Sequence, residues 1–122
     1  EVTSYRPGQG VFLSFGSQHH DIALFQDAGD GVHGALGLVH IALRIPGDDH
    51  DLRTAYDKLK ASGVQVDQVT NHGMTHSVYF RDPDGNRLEI YTDVYPAEEG
   101  MDVMRNKPNY REPLDIEAIS AR

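Results

Sequence analysis

Residues 75 to 93 read THSVYFRDPDGNRLEIYTD, two strand-like runs meeting across RDPDGN, and this pattern leaves little room for anything but a tight antiparallel hairpin. Pro83, Asp84 and Gly85 supply turn chemistry, with Gly85 or Asn86 free to take positive φ. Val78 and Phe80 alternate with Ser77 and Tyr79, and Leu88 and Ile90 with Glu89 and Tyr91, so each strand has an apolar face and a face of other character. Upstream, LVHIALRI (38–45) has the same period, with Val39, Ile41, Leu43 and Ile45 on one side and His40 and Arg44 on the other. PGDD then opens a helix, with Asp48 or Asp49 as N-cap. Leu52, Ala55, Tyr56 and Leu59 make its apolar stripe, Lys58 and Lys60 suit its last turn, and Gly63 suits the position after its end. VQVDQVT (64–70) is a further strand. From 38 to 93 the order is β-α-β-β-β.

The first 26 residues read as two or three strands with no helix before them. VFLSF (11–15) pairs with HHDIALFQ (19–26) across GSQ. FLSF…HDIALF and VYF…NRLEIY share a strand–turn–strand outline, with Ala23 against Glu89 and Phe25 against Tyr91, which suggests a duplicated module. The expected fold class is α+β, paired βαβββ modules, the first lacking its N-terminal strand and helix; about 30 residues, judged by the length of the second β-α-β unit, are expected ahead of Glu1. The expected organisation is one domain over 1–94, with a partial first module (1–27) and a complete second (37–94). A tail follows at 95–122, broken by prolines 96, 108 and 113 and expected to run extended along the domain or a neighbour, with at most a short helix near its end.

At 122 residues the chain can bury a core of its own. A net charge of −8 with no lysine or arginine cluster argues against nucleic acid and anionic membranes as partners. No apolar run approaches the ~20 residues of a membrane span. With no cysteine, thiolate metal sites, disulfides and cysteine nucleophiles are excluded, which fits the expected cytoplasmic location. Seven histidines are the feature that needs a reason.

A helix over one face of the sheet leaves the other for solvent or ligand. Parity puts His40, Ser77, Tyr79 and Glu89 together on that open face. An imidazole and a carboxylate on adjacent strands are two members of a two-histidine, one-carboxylate site for Fe(II), with Mn(II) and Zn(II) as alternatives. They are equally two polar side chains on a wet sheet, and parity alone does not separate the two.

HHDIALF, LVHIALRI and HGMTHSVYFRDPDGNRLEIY together resemble the vicinal oxygen chelate superfamily, and most of all its type I extradiol ring-cleaving dioxygenases such as catechol 2,3-dioxygenase. The resemblance covers residues 1 to 93. The DPDGN…E hairpin points to the fold; HHD and HG…TH point to ring cleavage. On this resemblance His40 and Glu89 are metal ligands. His72 and Tyr79 hydrogen-bond the substrate's oxygen, and His20 is the acid–base residue toward dioxygen. Simple alternation sets His20 with Ile22 and Leu24, so that role needs a bend or bulge at HHD. His76 has the parity of Val78 and is read as structural; His33 and His50 fall in loops.

The resemblance implies an Fe(II)-dependent dioxygenase acting on a catecholic compound with O2, its second metal histidine on a strand ahead of Glu1. Ala23, standing where a four-ligand isomerase of the superfamily would need a donor, favours the dioxygenase. The rivals are another enzyme of the superfamily (a glyoxalase-type lyase or isomerase, or a thiol transferase) and a metal-free ligand-binding protein of the bleomycin-resistance kind. Strand edges left open by a partial module lead us to expect a homo-oligomer.

Overall fold

The computed structural model describes residues 1–26, 37–106 and 110–122. Residues 27–36, and His33 with them, lie outside the described residues. The chain forms two compact units, residues 1–38 with 95–108 and residues 39–94 with 109–122.

In the first unit three antiparallel strands lie in sequence order: β1 (Val2–Arg6), β2 (Gly10–Leu13) and β3 (Ile22–Phe25). The expected pairing is present, with Val11 opposite Leu24 and Phe12 opposite Ala23. His19 and His20 precede β3 in a run of bends, so strand alternation does not govern them. The described part of the stretch after residue 94 is more regular than its prolines suggest. Helix α2 (Ala97–Asn106) buries Gly100 and Met104, one turn apart, in this unit. Its Arg105 pairs with Glu1.

The second unit holds β4 (Ile41–Arg44), α1 (Asp49–Ala61), β5 (Val66–Asn71), β6 (Thr75–Arg81) and β7 (Arg87–Asp93), the expected β-α-β-β-β. A two-residue strand, β8 (Glu112–Pro113), adds to its edge, giving the order β4-β7-β6-β5-β8 with only β4 and β7 parallel. Asp48 caps α1, accepting from the His50 N–H, while Asp51 returns the bond to the Asp48 N–H. Leu52 and Tyr56 on α1 pack with Val78, Phe80, Ile90 and Ile116 in the core, with Ala55 and Leu59 beside them. The hairpin turns at Gly85 with φ +86. Asp82 caps that turn, accepting from the backbone of Asp84 and from both backbone and side chain of Asn86.

One part of the expected core is absent. Ile41 and Leu43 have the parity of Leu88 and Ile90, yet they are 46% and 51% exposed, and Val39 is exposed too. β4 is the sheet's edge, and the sheet residues under α1 come from β6 and β7. Parity fixes which side a residue faces; it does not fix how far a helix reaches. Among the described residues no helix is long and apolar enough to cross a membrane.

Candidate active site

Glu89 lies near the centre of the open face, opposite Tyr79 on β6 and beside Ala42 on β4. His40, two residues before Ala42, therefore points to the same side, and its Nε2 stands 2.9 Å from Oε2 of Glu89. Glu89 is buried at 7% exposure. Burial pushes its carboxyl up, but hydrogen bonds from His40 and Ser77, with the charges of His40 and His72, outweigh this and hold it below the usual carboxylate range. The carboxylate is thus ionised and held rigidly on a central strand. The His40 ring stands edge-on to Tyr79, centroids 5.5 Å apart at 87°. Its other nitrogen, Nδ1, is buried with no hydrogen-bond partner.

Tyr79 joins this pair to a second one. Its hydroxyl lies 2.8 Å from Nε2 of His72, which sits just beyond β5. Burial, then the charge of Glu89 and a hydrogen bond to it, raise the Tyr79 pKa, so the phenol keeps its proton throughout the neutral range. Burial lowers the His72 pKa and the Arg111 charge adds to this, against a raising effect from Glu89; the imidazole is neutral near pH 7. His40, Glu89, Tyr79 and His72 thus form one continuous polar network on a strand-built surface.

Chemistry tests whether a metal fits. Donor nitrogen and oxygen atoms each about 2.1 Å from one divalent cation, at a right angle, stand about 3 Å apart. The His40–Glu89 separation has that value, and an ionised carboxylate beside an imidazole suits Fe(II), Mn(II) or Zn(II). Among the described residues, no group of three His, Cys, Asp or Glu side chains gathers to hold a metal. The pair fits two coordination positions and leaves the rest open.

His20 belongs to the other unit. Its Nδ1 is 2.7 Å from Nδ1 of His19, and its ring stands edge-on to Phe12 at 5.1 Å. His76 faces the helix side as its parity requires, with Nδ1 2.7 Å from Asp49 in the first turn of α1. His50 bonds the Ser120 carbonyl at 2.8 Å. Both ties are structural.

Three participants have no single-residue signal. Ser77, fully buried, bonds Glu89; its parity was legible, but not its bond. Arg87 shares the parity of Glu89 and sets its guanidinium over the Tyr79 ring at 4.4 Å. Arg111 comes from the stretch leading into β8, which no periodicity announces.

The profile of the Glyoxalase/Bleomycin resistance protein/Dioxygenase superfamily matches residues 2–90, and the chain belongs to that superfamily. It is 36% identical over 101 residues to biphenyl-2,3-diol 1,2-dioxygenase 3 of Rhodococcus globerulus, an alignment covering 79% of this chain and 53% of that protein. With biphenyl-2,3-diol 1,2-dioxygenase 2 of the same organism the identity is 32% over 108 residues, covering 84% and 56%. The chain spans about half the length of the curated relatives it matches. Among solved structures it is similar to lactoylglutathione lyase from Agrobacterium tumefaciens, with TM-score 0.40 and 27% identity over 75% of this chain and 74% of that one.

Proposed function

We propose that this chain serves an extradiol dioxygenase, a metal-dependent enzyme that opens the ring of a catecholic compound with O2. The observation that supports it most is the 2.9 Å approach of His40 to Glu89 on the face left open by α1, in a chain whose relatives carry the name of a diol dioxygenase. His40 and Glu89 would hold Fe(II), with Mn(II) or Zn(II) as alternatives. Held there, the metal would supply Lewis acidity toward a vicinal diol.

The protein's own residues do the rest. Tyr79, protonated at neutral pH, donates a hydrogen bond to an oxygen that gains negative charge. His72, neutral and bonded to Tyr79, orients that phenol. Ser77 holds the carboxylate of Glu89 with a hydrogen bond. His20 keeps the acid–base role on the strength of its motif, its imidazole held by His19. Association into a homo-oligomer is part of the same proposal, and light scattering on the purified chain reads it.

The test is anaerobic loading with Fe(II), followed by O2 consumption and ring-opening absorbance with a panel of catechols. Ring-opened product that vanishes in Glu89→Ala supports the reading. Turnover with Zn(II) or Ni(II) and no O2 demand would assign the chain to the lyases and isomerases of the superfamily. Ligand affinity untouched by Glu89→Ala, without turnover, would assign it to the metal-free binding proteins.

A further inference from the structure

The chain carries 19 acidic against 11 basic residues, so an arginine has acidic partners in plenty. Arg44, Arg53, Arg81, Arg105 and Arg122 each meet a carboxylate. Arg87 and Arg111 meet none among the described residues, and both belong to the open face of the second unit. Arg87 is accounted for by the Tyr79 ring beneath it and by Gln68, 3.5 Å away. Arg111 is not.

Its place follows from the β5–β8 ladder. Thr70 lies opposite Pro113 and Asn71 opposite Glu112, so one further step sets Arg111 opposite His72. The Tyr110 ring lying against Gly73 is what that extended register requires. Residues opposite one another in an antiparallel pair share a face. Thr70 is opposite Ser77, and His72 reaches Tyr79, so this face is the one that carries Glu89. Arg111 is exposed there, and its charge is felt at both His72, where it adds to the lowering by burial, and Tyr79, where it opposes the larger rise caused by burial and Glu89.

We propose that Arg111 is a substrate-recognition residue whose guanidinium takes a carboxylate on the aromatic diol, so that the preferred substrate is an acid rather than a neutral hydrocarbon diol. This rests on the diol-binding reading given above. A planar guanidinium with no acid of its own, on the face that carries the Tyr79 hydroxyl, matches a carboxylate with two parallel hydrogen bonds. Arg87 adds positive charge on the same face.

The test is isothermal titration of the whole chain under argon with 3-(2,3-dihydroxyphenyl)propanoate and with its methyl ester, and with the 3,4-dihydroxy pair. The acid should bind about tenfold tighter than the ester, a bidentate contact discounted for an exposed guanidinium. Arg111→Gln should level the two, Arg111→Lys should keep part of the preference, and added salt should shrink it. Equal affinity for acid and ester in the unmodified chain, including no binding of either, overturns the proposal; so does a preference that survives Arg111→Gln. Acid preference that follows Arg111 without ring opening would keep the anion site while removing the dioxygenase, so the two readings fail separately.

Discussion

Tyr79 and Glu89 stand directly opposite each other in the β6–β7 ladder, and through this one register His72 and His40 join a single polar network. Neither histidine is near the other in sequence. The sheet brings them together because its open-face residues are every second one on each strand.

That register makes Glu89 and Ser77 inseparable. Glu89→Gln removes the charge that a divalent cation needs, and Ser77→Ala frees the carboxylate to rotate. Mn(II) titration followed by electron paramagnetic resonance should show binding abolished in Glu89→Gln and weakened about 10- to 100-fold in Ser77→Ala, the usual cost of losing an outer-shell hydrogen bond. Unchanged Mn(II) affinity in Glu89→Gln would remove the proposed metal pair.

Tyr79→Phe deletes one hydroxyl and keeps the ring on which Arg87 rests. The hydroxyl is the proposed donor to a developing oxyanion, so kcat on a cleaved catechol should fall about 10²- to 10³-fold while KM moves little. A drop confined to KM would mean that Tyr79 serves binding alone.

Much of this was legible in the sequence, and the reason is periodicity. Alternation set His40, Ser77, Tyr79 and Glu89 on one face because strands expose every second side chain, whatever the fold. The Asp48 cap and the Gly85 turn were readable because each depends on a local backbone geometry. Contacts that depend on reach were not. Ile41 and Leu43 point to the helix side but fall beyond its cover on the edge strand. The approach of Arg111 to His72 depends on β8 pairing with a strand some 40 residues earlier, for which two residues, Glu112 and Pro113, carry no pattern. His20 escaped the alternation rule because HHD lies ahead of its strand.

The lowered pKa of His72 has a consequence for stability, with burial as its main cause. A histidine that resists protonation when folded binds a proton more readily when the chain unfolds. Below an unfolded value near 6.5 the unfolded state therefore takes up more protons, and His72 favours unfolding increasingly as pH falls. Above that pH its contribution is flat. Thermal unfolding from about pH 7.5 down to about 5.5 should show the unmodified chain losing more stability than His72→Gln, which cannot titrate. Parallel curves for the two proteins would contradict the assigned shift.

The uncovered edge of the sheet separates two leucines that the sequence pattern treats alike. Leu52 is fully buried on the inner face of α1, against β6 and β7, whereas Leu43 on β4 is 51% exposed. Leu52→Ala removes buried contacts and leaves a cavity, at a cost of about 2–5 kcal/mol. Leu43→Ser touches no packed core and should change stability by no more than about 0.5 kcal/mol. Urea unfolding of both variants, read by the midpoint at a constant slope, distinguishes them. A large loss in Leu43→Ser would mean that β4 is covered in solution by something that packs against its apolar side, and a second copy of the chain, detectable as a concentration-dependent midpoint, is the first such cover to look for.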